Sequence, residues 1–220
     1  FSMIKDDLGS IVRKIRILSG SILFLYAITH LLNHSVNIVS IDAADFIREN
    51  FYHAIWKNPV GTALLYASFL SHIPLGFYSI ASKKSFKISA REWLQISLPV
   101  LALLILLQHV AGGFIATKIF GADFSYAALF SALLADPSEV AISTVFFTLL
   151  VLFIWTHGVI GVNMLLRYNM RSYKKFKRSL YVVYYAVPVL AIFGFWAGLK
   201  EQSFVAYAKS LQGEENQDRK

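Results

Sequence analysis

Histidine is the residue type in this chain whose placement could support chemistry. The chain has six histidines, and five lie in long stretches without Asp, Glu, Lys or Arg, namely His30, His34, His72, His109 and His157. An ionisable side chain in such a stretch is costly and normally faces a partner in the protein interior. Neutral imidazole is a strong ligand of metal ions and of haem iron, so these five are candidate metal ligands. The alternative is a set of core histidines bonded to backbone carbonyls.

The rest of the composition excludes other kinds of site. No cysteine is present, which rules out disulfides, thiolate metal sites, iron–sulfur clusters and cysteine nucleophiles. Hydrophobic residues make up 56% of the chain and charged residues 15%, against roughly 25% charged in a soluble protein. No nucleophile–base pair, phosphate-binding loop or metal-binding aspartate pair is visible. We therefore predict no catalytic residues in this chain, and the sequence leaves open whether its parent polypeptide is an enzyme.

Five uncharged stretches must position the histidines. They cover residues 17–39, 59–82, 93–117, 140–166 and 180–199. Each has about 20 residues or more, which is enough to cross a ~30 Å hydrocarbon core as a helix, and none alternates as a membrane β-strand does. We predict an all-α membrane protein with a five-transmembrane-helix bundle. The flank is residues 1–16, the transmembrane domain is 17–199, and 200–220 is a polar tail or the start of a linker.

Charge in the connecting segments predicts the orientation. The net charge of +8 is concentrated in the amino-terminal flank and in the turns at residues 83–91 and 167–178, whereas segments 40–58 and 118–139 are mixed in sign. The positive-inside rule places the amino terminus and both basic turns in the cytoplasm. Five spans then put the chain after Lys200 on the opposite side. Residues 43–56 have an apolar face and are expected to lie flat on the outer surface.

Depth divides the histidines into two levels. His72 lies eleven residues from Lys83 and His157 ten from Arg167. At ~1.5 Å rise per residue, both are about 15–16 Å from the cytoplasmic charges. We predict that these two form an inner pair.

A second pair lies deeper. His30 is fourteen residues from Arg16 and His109 eighteen from Arg91, which places them about 21–27 Å deep. His34, one turn after His30, is eighteen residues from Arg16 and matches the level of His109 more closely. Two pairs at two levels, drawn from different helices, are the arrangement that bis-imidazole ligation of two stacked haems b requires.

Glycines recur at a fixed offset from three of these histidines. Residues four apart share a helix face, and a glycine there removes the Cβ where a flat macrocycle would press on the backbone. The alternative is helix–helix packing through small residues. The glycines that follow His72, His109 and His157 by four residues are Gly76, Gly113 and Gly161.

Three strings around these histidines resemble the ligand motifs of the dihaem cytochrome b membrane subunits of succinate dehydrogenases and fumarate reductases. They are His30-Leu-Leu, His72-x-x-x-Gly76-x-Tyr78 and His157-x-x-x-Gly161. The resemblance implies a five-helix bundle that encloses two stacked haems b held by four histidines. It implies the same pairs as the residue count, and it favours His30 over His34 as the partner of His109.

A fourth string, Arg16-Ile-Leu-Ser19-Gly20, resembles the quinone-side signature of the same family, with one additional residue. It implies that Arg16 and Ser19 contact a quinone or quinol. Tyr78 is a further candidate contact for that ligand.

A narrower resemblance covers nearly the whole chain. Five strings are similar to the amino-terminal membrane anchor of bacterial class III adenylate cyclases: T-H-L-L-N-H-S at residues 29–35, R-E-W-L-Q at 91–95, F-G-A-D-F-S-Y-A at 120–127, W-T-H-G-V-I-G at 155–161 and P-V-L-A-I-F-G-F at 188–195. The resemblance implies a dihaem receptor domain in the bacterial cytoplasmic membrane, which senses quinone redox state and biases a cyclase domain in cis. A sixth helix after residue 220 would return the chain to the cytoplasm, where such a domain lies.

Two other functions stay open from the sequence. One is the cytochrome b subunit of a respiratory complex, with flavin and iron–sulfur subunits docked in trans at the basic turns and electrons passing to or from quinone. The other is a structural or transporter bundle whose histidines pack or relay protons. In each case the partners include the lipid bilayer and exclude nucleic acid, and a homodimer is allowed.

Overall fold

The structure is a computed structural model that describes residues 2–83, 89–122, 125–169, 171 and 173–217. Within these ranges every regular element is helical. The helices are α1 (Ser2–Ser35), α2 (Ile41–Ile47), α3 (His53–Trp56), α4 (Pro59–Ala81), α5 (Ala90–Phe114), α6 (Tyr126–Leu134), α7 (Pro137–Asn169) and α8 (Tyr173–Gln217). A 3₁₀ turn at Val36–Ile38 and two π-helical segments, Arg48–Tyr52 and Ile115–Ile119, extend or join them.

Five of these helices, α1, α4, α5, α7 and α8, are long and apolar enough to cross a membrane. The predicted all-α architecture with five apolar spans is therefore confirmed. The spans are Gly9–Ile38, Pro59–Ala81, Ala90–Thr117, Ser138–Arg167 and Tyr173–Ala206. Most are longer than the uncharged stretches, because a helix satisfies its own backbone hydrogen bonds and can continue past the last apolar residue.

Helix α8 continues well past the predicted end of the transmembrane domain at residue 199. The stretch from Lys200, expected to be a polar tail or the start of a linker, is helical as far as Gln217. Residues 218–220 lie outside the described residues. The amino-terminal flank is helical from Ser2 onward and forms the first turns of α1.

Capping side chains explain where several helices begin. Asn58 accepts a hydrogen bond from Gly61 N at 2.9 Å, and Pro59 follows it in the first helical position of α4. Ser89 and Glu92 form a reciprocal capping box at the start of α5. Each cap satisfies N–H groups that the first helical turn leaves unpaired.

Helix α1 is the central element of the bundle. It packs against α4 and α8 and also contacts α7, whereas α5 packs against α7. Glycines permit the closest approaches: a Cβ on Gly194 of α8 would collide with the carbonyl oxygen of His34, and one on Gly158 of α7 would collide with the ring of Phe24. The core between α1, α7 and α8 is filled by Leu31, Val151, Trp155, Val187 and Ala191.

One end of the bundle, the capped end, is closed by α2, α3 and α6. The sequence predicts that residues 43–56 have an apolar face and lie flat on the outer surface, and in the structure some of their apolar side chains are exposed while others are buried. Phe46 is exposed, whereas Ala44 and Trp56 are buried, and Trp56 Nε1 donates to Thr29 Oγ1 of α1 at 2.9 Å. The segment is therefore attached to the bundle. The opposite end, the basic end, carries the cations of residues 13–16 and 171–178.

Asp45 joins α2 to α6 at the capped end. Its carboxylate accepts from Tyr126 N, at 2.9 Å to Oδ1 and 3.1 Å to Oδ2, and from Arg48 Nε at 2.9 Å. The Tyr126 hydroxyl in turn accepts from Asn33 Nδ2 of α1 at 2.9 Å. One carboxylate thus caps α6 and begins a chain of hydrogen bonds that reaches the central helix.

Replacing Asp45 with Ala should lower the free energy of unfolding by about 1–3 kcal/mol, because the change leaves a partly buried helix start without its charged acceptor. The matched control is Asp42→Ala, since Asp42 is an exposed carboxylate of the same helix. Thermal unfolding of both variants in detergent measures the difference. An equal loss in the two variants would contradict the role given to Asp45.

Candidate functional site

The four helices that carry the interior histidines form two packed halves. Helix α1 packs on α4 and α5 packs on α7, while α4 and α5 are not a closely packed pair among the described residues. His72 of α4 faces His157 of α7, and His30 of α1 faces His109 of α5. Both histidine pairs therefore extend from one half of the bundle to the other.

The two pairs have nearly the same separation. The ring centroids are 6.2 Å apart for His72 and His157 and 6.1 Å apart for His30 and His109. Imidazoles that bind one metal ion from opposite sides, with bonds of about 2 Å and ring centres about 1 Å behind the ligating nitrogens, have centres roughly 6 Å apart. Both pairs therefore have a separation compatible with axial ligation of one ion.

His72 is held from one side by α1. Its Nδ1 lies 3.1 Å from the carbonyl oxygen of Arg16 and 3.3 Å from Ser19 Oγ. Because a carbonyl oxygen only accepts hydrogen bonds, Nδ1 carries the proton and donates to Arg16. Nε2 then keeps its lone pair, which is the protonation pattern of a metal-binding histidine.

His157 is held in the same way by α5. Its Nδ1 donates to the carbonyl oxygen of Gln95 at 3.0 Å, which again leaves Nε2 with a lone pair. Within the described part of the chain, the buried Oε1 of Gln95 has no hydrogen-bond partner. Its Nε2 would lie 3.4 Å from a Cβ placed on Gly161. Gln95 therefore lies beside both His157 and Gly161, although the sequence reasoning did not select it.

The second site contains three histidines, of which two are in direct contact. His30 Nε2 and His34 Nε2 are 3.3 Å apart. The His34 side chain is buried, with its ring 5.3 Å from that of Tyr126 and 5.2 Å from that of Phe147. The ring of His30 faces that of His109. By residue count, however, the depth of His34 is closer to the depth of His109.

The predicted glycines differ in what surrounds them. A Cβ on Gly76 would meet nothing within 4 Å, so the space one turn after His72 is open. Gly113 lies one turn after His109, and its carbonyl oxygen accepts from Thr117 Oγ1 at 2.8 Å. Open space at Gly76 is compatible with a flat group against the helix backbone.

Gly20 makes a close approach to His72 that the sequence reasoning missed. A Cβ on Gly20 would lie 2.7 Å from His72 Cε1 and 3.1 Å from its Nδ1. Any larger side chain at this position would therefore displace the imidazole or separate α1 from α4. The available signal was its position directly after Ser19 in the quinone-signature string.

Two of the three predicted quinone contacts, Arg16 and Ser19, lie beside His72. Ser19 is 4% exposed, and its hydroxyl donates to the Ile15 carbonyl oxygen at 2.8 Å. Arg16 contributes its carbonyl oxygen to His72. Tyr78 is 52% exposed, and no hydrogen bond joins it to Ser19 or Arg16 across the ranges that the structure describes. Ser19 and Arg16 are thus neighbours of His72, whereas no contact of Tyr78 with them is seen among the described residues.

Aromatic side chains of the capped end adjoin the second site. The ring of Tyr52 lies 5.7 Å from that of His30. Burial raises the pKa of Tyr52, and the adjacent Tyr26 raises it further, so the phenol stays protonated. His53 is the histidine outside the spans, and its pKa is lowered by burial and by nearby cations. It belongs to neither pair.

The described residues contain no group of three or more His, Cys, Asp or Glu side chains that could hold a metal ion. Each histidine pair supplies two ligands, which suffice when a macrocycle provides the remaining ligands of the ion. Comparison of the chain with protein-family models, with curated proteins and with solved structures found no match.

Replacing Gly20 with Ala should destabilise the protein by about 1–3 kcal/mol, because the added methyl group overpacks the contact with His72. Gly9→Ala is the matched control on the same helix, since its Cβ would meet nothing within 4 Å. Thermal unfolding of the two variants in detergent provides the measurement. Equal stability of Gly20→Ala and Gly9→Ala would contradict a tight contact between Gly20 and His72.

Proposed function

We propose that this chain is a membrane-embedded dihaem cytochrome b domain, in which His72 and His157 bind one haem b and His30 and His109 bind the other. The observation that carries the proposal is the pair of ring separations, 6.2 and 6.1 Å, on four different helices. Core packing alone gives no reason for two histidine pairs to share a spacing that suits axial ligation.

The number of ligands supports haem over a bare ion. Haem iron takes four nitrogens from its macrocycle and needs only two axial ligands from the protein. The open space at Gly76 also supports a haem, since a flat macrocycle can approach the helix backbone closely where no Cβ is present. Residues that fit a haem are therefore present around the inner pair, His72 and His157. The second pair, His30 and His109, has the same ring separation.

When bound, haem iron with two imidazole ligands supplies one-electron transfer. The protein residues orient the ligands: the carbonyl oxygens of Arg16 and Gln95 accept from Nδ1 of His72 and His157. These hydrogen bonds fix each ring and raise the basicity of the nitrogen that remains free. Two centres at different depths suit a domain that connects the two surfaces of a membrane.

The finer proposal is that the domain is the receptor anchor of a bacterial adenylate cyclase and responds to the redox state of quinone. Its support is the set of five strings that resemble the cyclase anchors, two of which, at residues 29–35 and 155–161, include the proposed ligands His30 and His157. In this proposal the histidine pairs are the sensor, and the catalytic residues belong to a further domain.

Haem content tests the proposal directly. The purified protein should contain two haems b per chain by pyridine-haemochrome assay. His72→Ala and His157→Ala should each lose the same one haem, because each removes one axial ligand of the inner pair, whereas His109→Ala should lose the other. His53→Ala is the control and should keep both. Absence of haem from the parent protein, or loss of the same species in His72→Ala and His109→Ala, would refute the proposed pairing.

Two histidines one turn apart on α1 provide a second test. His30→Ala should lose one haem, with a remaining reduced-minus-oxidised spectrum that matches that of His109→Ala. His34→Ala should keep both haems, because the His34 ring packs against Tyr126 and Phe147 while the His30 ring lies 6.1 Å from that of His109. A six-coordinate haem accepts one imidazole on each face, so only one of the two can pair with His109. Haem loss in His34→Ala with retention in His30→Ala would reverse the assignment.

A further inference from the structure

A cavity of about 330 Å³ lies between α1, α7 and α8, and none of the five span histidines lines it. Its volume is near the lower end of the range for small-molecule sites. The lining is almost entirely apolar and includes Ser21, Phe24, Ile28, Trp155, Leu180 and Tyr184.

The cavity is elongated along the helix axes. On α1 it extends from Ser21 to Ile28, and seven residues of helix cover about 10 Å. Trp155 Nε1 is already bonded to the carbonyl oxygen of Tyr184 at 2.6 Å, so the indole offers no free donor to a ligand. The Tyr184 hydroxyl has no hydrogen-bond partner among the described residues. Almost all of the remaining lining of this slot is apolar and suits a hydrocarbon chain.

Two lysines stand at the basic end of this slot. Lys14 precedes Ser21 by seven residues and Lys177 precedes Leu180 by three, so each lies near the helix face that lines the cavity. Both side chains are exposed. Lys177 Nζ lies 5.6 Å above the ring of Tyr181, and neither lysine forms an ion pair within the described ranges. The slot therefore has exposed positive charge at its basic end.

We propose that this slot is a binding site for one anionic phospholipid, with an acyl chain in the cavity between α1, α7 and α8 and the phosphate beside Lys14 and Lys177. Basic residues at the cytoplasmic surface of membrane helices attract anionic headgroups in this way. The inference does not depend on haem, because the cavity shares no residue with the histidine pairs.

Lipid selectivity measured by native mass spectrometry tests the site. The full chain is purified in detergent and mixed with equal amounts of phosphatidylglycerol and phosphatidylcholine of the same acyl composition. The parent chain should retain phosphatidylglycerol preferentially, by about fivefold for each lysine that contacts the headgroup. The double variant Lys14→Gln, Lys177→Gln should lose most of this preference. Its matched control, Lys175→Gln with Arg178→Gln, removes two exposed cations whose helical positions face away from the slot and should keep it.

Filling the cavity provides a second, independent test of the lipid site. Ser21→Leu and Val183→Trp each place apolar volume into the slot from a different helix and should reduce retention of both lipids several-fold. Ser71→Leu is the control. The hydroxyls of Ser21 and Ser71 each donate to the carbonyl oxygen four residues earlier, but Ser71 is on α4, outside the slot. Size-exclusion chromatography and helical circular dichroism identify any variant that fails to fold, and the other filling variant then carries the test. Equal loss of selectivity in both double variants, or undiminished retention in a folded filling variant, would overturn the proposal.

Discussion

Imidazole groups inside an apolar helical bundle need partners, because lipid supplies no hydrogen bonds and little water reaches them. Two of the interior histidines in this chain find that partner in the backbone of a neighbouring helix. His72 donates to α1 and His157 donates to α5, so each ring is oriented by a helix other than its own. The remaining nitrogen of each ring is left for another ligand, and the spacing within each pair follows from where the helices cross.

The closeness of α1 to its neighbours depends on glycine. Gly20 brings α1 against the imidazole of His72, while Gly194 of α8 lies against the carbonyl oxygen of His34 and Gly158 of α7 lies against Phe24. Helix α1 thus contacts three other spans through positions where a Cβ would not fit. In a membrane, where little hydrophobic force acts between helices, such close contacts contribute much of the association. The same helix also lines the apolar slot between α1, α7 and α8.

The two ends of the bundle are built differently. At the capped end, the Asp45 carboxylate and Tyr126 connect α2 and α6 to α1, and the ring of Tyr52 lies against His30. At the basic end, several lysines and arginines of the described residues are exposed. The His30 ring is therefore covered by protein at the capped end, whereas the basic end exposes positive charge.

Composition and the lengths of the uncharged stretches were sufficient to predict five apolar helices, since the cost of unpaired backbone in hydrocarbon leaves few alternatives to a helix. The same reasoning located the five interior histidines and grouped them by depth, because rise per residue along a helix is constant. It did not find the contributions of Gly20 and Gln95, and it could not choose between His30 and His34, which lie one turn apart on the same face. Those features depend on the rotation of each helix about its axis and on how closely two helices approach. Both are decided by contacts between residues far apart in the chain, so only the tertiary structure determines which carbonyl, glycine and imidazole meet.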